Sequence, residues 1–281
     1  MEDWLIGLLN TIGNGVSQDM VSRLLQTPAD FNHDLYDLSL RVADTAVKPM
    51  ASIVLAIVFS MELARVSTKV DADRELGMKM VAAAMLRIAI VFTLAQNSEL
   101  LLKAVDEIGS SMMSGFTSAA PTEGATSTMG LGDAMADQIK DAGWAGQAAC
   151  MVLLIIPFVV SQAASIVFTV VILLRFVQLY MMTAFNPLPV AFCAHEETKA
   201  WGIGYFKQYA VLVFQCATLY LAVIVYRVFV KNVLTMDGFK EGDSLPGWII
   251  SNFGNLLLAS VLLIGIVMVA NGVAKKLFGG E

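Results

Sequence analysis

Few side chains in this sequence have the type and spacing that catalysis or metal binding requires. The chain has two histidines, His33 and His195. Glu196 and Glu197 follow His195, but no second histidine stands at the spacing of a His-Glu-x-x-His zinc site. The sequence also contains no glycine-rich phosphate loop that ends in Lys-Ser or Lys-Thr. Because no nucleophile lies beside an evident base, we expect neither an enzyme nor a metal site.

Arg87 is the charged residue with the most unusual position. It lies near the middle of the apolar stretch 80–96. A charge at the centre of a bilayer costs about 2.5–3.5 kcal/mol on insertion scales, so the side chain must reach the headgroups, pair with an acid, or face a subunit interface or an aqueous lumen. Glu62, near the end of the preceding apolar stretch, is a candidate partner within the chain. We take Arg87 and Glu62 as candidate pore or interface residues.

Membrane-spanning helices must position these residues, because several apolar stretches are long enough to cross a bilayer. About 20 apolar residues span the hydrocarbon core. The chain is 57% hydrophobic and only 15% charged, whereas ordinary globular chains carry about 25% charged residues. The predicted spans are residues 47–64, 80–96, 148–175, 208–230 and 248–274. We therefore predict an all-α integral membrane protein with about five transmembrane helices. Its net charge of −6 gives no general attraction to nucleic acid.

The N-terminal region is predicted to contain amphipathic helices. Phe31, Leu35, Leu38 and Val42 recur on one helical face, and Asp30 is the expected N-cap. This stripe either packs on the helix bundle or lies in the membrane interface. Its acidic polar face favours packing.

The polar segments divide the chain into four regions. The first is the N-terminal region, and the second holds the first two spans. The third is an extracytoplasmic helical segment with a flexible linker, and the fourth is a transmembrane core with a short cytoplasmic tail. In order, these regions are residues 1–45, 46–96, 97–147 and 148–281.

The transmembrane core contains a segment that cannot remain one helix. Residues 176–195 are largely apolar but include Asn186, Pro187 and Pro189. A proline removes a backbone donor, and broken backbone at membrane depth is tolerated only inside protein or beside a water-filled cavity. We predict a re-entrant turn or an interfacial elbow across residues 176–195.

Basic residues favour a topology with the N-terminus outside and the C-terminus in the cytoplasm. In that orientation the long segment 97–147 lies outside and is strongly acidic. Lys48 and Arg227 argue the other way. The basic residues on the inner side would be Arg65, Lys69, Arg74, Lys79, Arg175, Lys199, Lys207, Lys275 and Lys276.

Residues 175–226 resemble the core of the TrbL-like, VirB-type inner-membrane subunits of conjugative type IV secretion systems. In this segment Arg175 ends a predicted span, and an apolar piece with prolines follows. A turn at Thr198 and Lys199, an aromatic and basic helix start, and a further span complete it. The five-span plan, with a large outer segment before the third span, is also similar to that family.

The resemblance implies a membrane-embedded structural or channel subunit that assists transfer of relaxase-bound DNA across the cytoplasmic membrane. It implies a ring-like homo-oligomer, a pentamer by analogy with the family. The implied partners are other secretion-system membrane subunits, secretion ATPases, the relaxase–DNA substrate and membrane lipids. No cofactor is implied, and bound phospholipid is the one non-protein group we consider. The family core, expected to fix the elbow and the cytoplasmic face, would be Arg175, Asn186, Pro187, Pro189, Thr198, Lys199 and Trp201.

A stand-alone transporter or channel is the alternative function. Such proteins are typically built from two related halves with paired broken helices and mid-membrane charges. This sequence shows one broken segment and one mid-span charge. A membrane-lysing or anchoring protein is a weaker alternative, because it would not need the long acidic outer segment.

Overall fold

The computed structural model describes the backbone of residues 1–70, 74–119, 130–233 and 244–277. Side chains are described throughout these ranges except at 66, 68–70, 74–77 and 231–233. Within the described ranges the regular elements are all helical. Most of the predicted flexible linker and the end of the predicted tail lie outside the described residues.

The helices are numbered here in chain order. A π-helical segment, Ala43–Val47, lies between α4 and α5 and joins them without a break. The bounds are α1 Glu2–Asn14, α2 Gln18–Leu25, α3 Pro28–Phe31, α4 His33–Val42, α5 Lys48–Val70, α6 Arg74–Gln96, α7 Ser98–Ala119, α8 Leu131–Ala134, α9 Ala136–Asp141, α10 Gly143–Phe185, α11 Pro187–Phe192, α12 Lys199–Val233 and α13 Leu245–Leu277.

Among the described residues, five helical stretches are long and apolar enough to cross a membrane. Each contains one of the predicted spans, which confirms the prediction of an all-α integral membrane protein. The observed stretches are longer because helical structure continues beyond the apolar windows. They are His33–Arg65, Met78–Gln96, Gly143–Phe185, Lys199–Val230 and Leu245–Leu277.

The prediction that Asp30 caps the helix with the apolar stripe was wrong. The side chain of Asn32, not Asp30, accepts a hydrogen bond from the backbone N–H of Leu35 at 3.0 Å. Thr27 and Pro28 first open the single-turn helix α3, which ends at Asn32 in an extended conformation. Asp30 therefore lies inside α3. The next helix, α4, begins at His33, two residues after α3 ends.

The apolar stripe that begins at Phe31 and continues along α4 was expected to pack on the helix bundle. Most of it does not. Phe31 stacks on Phe176 with ring centroids 3.9 Å apart, but Leu35, Leu38 and Val42 are exposed. Tyr36, on another face of α4, is buried instead. The exposed stripe is left for lipid or another protein to cover, so the membrane-interface alternative fits the structure better.

The third span is longer than predicted. Helix α10 continues through Arg175 and ends at Phe185. The residues between these two positions contain no helix breaker. Pro187 has no N–H to donate to the Thr183 carbonyl, which instead accepts a hydrogen bond from the Asn186 N–H at 3.4 Å. The break thus lies at Asn186, inside the predicted elbow segment 176–195.

The chain divides into two compact units, and α10 and α12 each supply residues to both. Unit 1 comprises Met1–Leu25, Met112–Leu174 and Gln215–Ala274. Unit 2 comprises Gln26–Ser111, Arg175–Phe214 and Lys275–Glu281.

Helix α1 buries one face within unit 1. Leu5, Leu9 and Ile12 are fully buried. The last turn of a helix leaves carbonyls without intrahelical donors, and side chains from α10 and α12 supply donors to the end of α1 and the residues that follow. The Oγ–H groups of Ser161 and Ser165 donate to the Thr11 and Gly15 carbonyls at 3.1 and 2.7 Å. The side chains of Tyr226 and Arg227 donate to the Ile12 and Val16 carbonyls at 3.4 and 3.1 Å.

Unit 2 has a core in which α11 packs against α5 and α6. Val190, Ala191 and Ala194, in and just after α11, are buried there. The two long helices contribute Ala51, Leu55, Val58, Val91 and Ala95. Burial of this apolar surface holds α11 against α5 and α6.

Candidate functional site at the α10–α12 connection

The α10–α12 connection, residues 186–198, is the interruption between two long apolar helices. Pro187 is the first residue of α11, where a missing N–H costs no helical hydrogen bond. Asn186 is 2% exposed, and its Oδ1 atom has no hydrogen-bond partner among the described residues. Since α11 is packed in the core of unit 2, the broken backbone is enclosed by protein, as membrane-depth interruptions require.

Thr198 fastens the second half of the connection. Its Oγ–H donates to the Phe192 carbonyl at 2.7 Å, which satisfies a backbone group at the end of α11. The Phe192 ring meets Trp201 edge to face, with centroids 5.5 Å apart. Trp201 is nevertheless 65% exposed, and Lys199, two residues earlier in the chain, is also exposed. Exposed tryptophan and lysine residues near a helix end are typical of the membrane–water interface.

Gly202 permits the close approach of α11 and α12. A Cβ atom at this position would lie 2.3 Å from the Cys193 Sγ atom and 2.6 Å from the Pro189 carbonyl oxygen. Both distances are shorter than van der Waals contact. Any side chain here would push α12 away from the end of α11.

His195 and Glu62 link the connection to α5. The His195 Nδ1 atom accepts a hydrogen bond from the Glu197 N–H at 3.2 Å. In the neutral imidazole this places the proton on Nε2, which lies 3.7 Å from the Glu62 Oε2 atom. His195 is buried and Glu62 is mostly so. The acid on α5 is thus directed towards the α10–α12 connection.

Arg87 does not pair with Glu62 in this chain. It lies exposed on α6 and has no ion-pair partner among the side chains that the structure describes. The two candidate pore or interface residues are therefore separate in one copy of the protein.

Arg175 does not lie in the connection. It is eleven residues before Asn186, about 16 Å along α10. Only 4% of its surface is exposed, and its Nε–H donates to the Leu212 carbonyl at 2.9 Å. Arg175 was predicted to end a span at the inner headgroup level. The structure instead buries it within a continuous helix, where it contacts α12.

A partly buried polar contact close to Arg175 joins α7 to α12. The Tyr209 hydroxyl lies 3.0 Å from each carboxylate oxygen of Asp106. Burial raises the pKa of Asp106 to about 6, although the Tyr209 hydrogen bond and the Arg175 charge both lower it. The helices approach closely here, since a Cβ atom on Gly109 would lie 2.3 Å from Val213.

Sequence reasoning missed Asp106, Tyr209 and Gly202. Ile108, a large apolar residue of α7, is exposed. The buried face instead includes Leu102, Gly109 and Met113. Asp106 is four residues after Leu102 and three before Gly109, so it lies on the same face. An acid within such a repeat is the signal that would have identified it.

The structure thus brings together only part of the predicted site. Asn186, Pro187, Pro189 and Thr198 form the connection, with Lys199 and Trp201 at the start of the following helix. Arg175 and Arg87 lie elsewhere. Among the described residues no group of His, Cys, Asp or Glu side chains is arranged to hold a metal ion. The contacts described here position helices, and none of them pairs a nucleophile with a base.

Comparison with known proteins identifies one matching family model. Its description is "TrbL/VirB6 plasmid conjugal transfer like protein", and it matches residues 14–187. The match covers more than half of the chain. It includes Arg175, Asn186 and Pro187 but ends before the rest of the connection, whereas the resemblance seen in the sequence was strongest at residues 175–226. No curated protein matches the chain.

Proposed function

The chain belongs to the TrbL/VirB6-like family of plasmid conjugal transfer proteins, and on that basis we propose that it is a membrane-embedded structural or channel subunit of a conjugative type IV secretion system. In this role it assists passage of relaxase-bound DNA across the cytoplasmic membrane and performs no chemical step itself. Secretion ATPases and other membrane subunits of the machine are its partners. The family match over residues 14–187 is the observation that carries the proposal.

The geometry of the spans supports a subunit that works with further copies of itself. Exposed apolar side chains occur along α10 from Val152 to Phe185, a length of about 50 Å at 1.5 Å per residue. The hydrocarbon core of a bilayer is only about 30 Å thick, and an average tilt of about 20° shortens this band by only a few ångströms. The apolar band is therefore longer than the hydrocarbon core, which supports a ring-like homo-oligomer in which other copies cover the remainder.

The proposed topology has the N-terminus outside and the C-terminus in the cytoplasm of a cell whose inner membrane holds the protein. Lys199 and Lys207 at the start of α12, and Lys275 and Lys276 at the end of α13, are exposed. The positive-inside rule favours a cytoplasmic location for both of these helix ends. A phosphatase active only outside the cytoplasm, fused after Glu281, should be inactive, whereas a fluorescent protein fused there should fluoresce.

Deletion of the gene tests the function. We expect transfer of the conjugative element from donor to recipient to collapse, and to return when the gene is restored in trans. A mobilisable plasmid that uses an unrelated transfer system in the same donor provides the control and should be unaffected.

The same experiment distinguishes the proposed function from the alternative, a stand-alone transporter or channel. Undiminished transfer from the deletion strain would overturn the proposal. Solute flux into liposomes that contain the purified protein alone would then support a stand-alone transporter or channel.

A further inference from the structure

Arg87 lies near the middle of the least covered of the five described spans. It is nine residues from each end of the span Met78–Gln96, about 13–14 Å from either end. Only 17% of the apolar window of this span is buried within the chain, against 28–61% for the other four. Arg87 and neighbouring large apolar side chains, including Leu86 and Ile90, are exposed. An acid that pairs with Arg87 in an oligomer therefore lies outside the described side chains of this copy.

Glu62 lies at the same depth as Arg87. Helices α5 and α6 are antiparallel, with the Gln96 side chain donating to the Ser52 hydroxyl at 3.5 Å. From that level Glu62 is ten residues along α5 and Arg87 is nine residues along α6. At 1.5 Å per residue both lie about 14–15 Å below the contact.

Glu62 is also the only acid in the described spans at that depth. The spans other than His33–Arg65 contain no Asp or Glu. Within that first span, Asp44 is about 27 Å from Glu62 along the helix and pairs with Lys48 at 2.6 Å. The remaining acids of the span, Asp34 and Asp37, lie farther still.

We propose that Arg87 of one copy forms an ion pair with Glu62 of the neighbouring copy in the homo-oligomer. In a ring whose axis is the membrane normal, every copy presents a given residue at one depth, so Arg87 meets side chains close to its own level. Glu62 is 19% exposed at the side chain and is held by His195 at 3.7 Å, which leaves its carboxylate able to accept from a guanidinium. The inference rests on the proposed homo-oligomer.

Charge exchange in the full-length protein tests the pair. Arg87→Gln and Arg87→Glu should cause loss of the oligomer in detergent or native nanodiscs, and Arg87→Lys should retain it. The double variant Arg87→Glu with Glu62→Arg should regain the oligomer that either single reversal loses. An intact oligomer for Arg87→Gln would overturn the inference.

Cross-linking distinguishes a pair between copies from one within a copy. Two differently tagged copies, one with Arg87→Cys and the other with Glu62→Cys, should form a disulfide-linked heterodimer on oxidation. Phe92→Cys in place of Arg87→Cys is the matched control, because Phe92 is also exposed on α6 but lies five residues away, about 7.5 Å in depth. Rescue by charge exchange without the heterodimer would assign the pair to one chain and overturn the inference.

Failure of this inference is separable from failure of the proposed function. If the wild-type protein forms an oligomer that is indifferent to Arg87, the ion pair is overturned while the homo-oligomer stands. If the wild-type protein forms no oligomer, both are overturned, and the deletion experiment still decides the role in transfer.

Discussion

Tyr209 donates its hydroxyl to Asp106 at equal distances of 3.0 Å from the two carboxylate oxygens. The acid comes from α7 and the tyrosine from α12, so the contact joins the polar segment after the second span to the helix that follows the α10–α12 connection. Burial raises the pKa of Asp106 to about 6. Unit 2 therefore contains an acid that titrates close to physiological pH.

Asp106→Asn should remove a pH dependence of stability. A raised pKa means that the folded chain holds this proton more tightly than the unfolded chain, so the contribution of Asp106 is fully present below about pH 4 and is lost as the pH rises to about 6. The loss is roughly 2–3 kcal/mol at most. Thermal unfolding of the purified protein from pH 4 to pH 8 should show a decline in the wild type that is shallower in the variant. Identical slopes would contradict this assignment.

Tyr209→Phe should move the same decline to higher pH. The hydroxyl lowers the pKa of Asp106, so its removal raises that pKa further. Tyr205→Phe is the matched control, because the Tyr205 hydroxyl donates to the Met182 carbonyl and not to Asp106. We expect the control to lose some stability without a shift of the pH midpoint, and a shift of both midpoints would count against the contact.

Gly202→Ala should destabilise the protein by about 1–3 kcal/mol, because its Cβ atom would overlap Cys193 and the Pro189 carbonyl. Gly204→Ala, two residues along the same helix, has no atom within 4 Å of its added Cβ. It should be neutral or stabilising by up to about 1 kcal/mol, since alanine favours helix over glycine. Melting temperatures of the two variants measure the difference, and DNA transfer should fall only for Gly202→Ala. Equal melting temperatures would show that α11 and α12 do not approach this closely.

Thr198→Val should destabilise the α10–α12 connection by about 1 kcal/mol. The change keeps the shape of the side chain but removes the donor to the Phe192 carbonyl, leaving that group unpaired. Thr93→Val is the control, because the Thr93 hydroxyl bonds only the Ala89 carbonyl of its own helix and is exposed. Thermal unfolding should separate the two variants, and a control as damaging as Thr198→Val would refute the role of this hydroxyl.

Ser165→Ala should cost about 1–2 kcal/mol by removing the donor to the Gly15 carbonyl in unit 1. Ser118→Ala provides the comparison, since the Ser118 hydroxyl is exposed and bonds within its own helix. Limited proteolysis of the N-terminal region should accelerate for Ser165→Ala alone. Equal cleavage rates in the two variants would argue that α1 is not held by this contact.

Hydropathy was enough to locate all five spans, because an apolar run of bilayer length has few other structures available to it. The predicted bounds of the spans were less accurate where a polar side chain forms a hydrogen bond with a residue that is distant in the sequence. The sequence predicted that a span ends at Arg175. In the structure the Leu212 carbonyl accepts the Arg175 Nε–H, and the helix continues past this buried residue to Phe185. Sequence spacing does not show such a partner 37 residues away.

The connection itself was predictable from Pro187 and Pro189, whereas the residues that fix it were not. His195 was considered only as a metal ligand and rejected, and its link to Glu62 depends on the packing of α11 against α5. Gly202 is one glycine among 21 in the sequence. Only the approach of two helices distinguishes it from Gly204.

The side chains that donate to the end of α1 and to the residues after it are synthesised long after α1 itself. The donors for the Thr11 and Gly15 carbonyls are encoded 150 residues later, and the donor for Val16 comes 211 residues later. A ribosome that adds about 5–20 residues per second needs roughly 10–40 s to reach Arg227. During that interval α1 is already made, but the last of these donors does not yet exist. The helix must therefore remain hydrated, or be held by the insertion machinery, until most of the chain has entered the membrane.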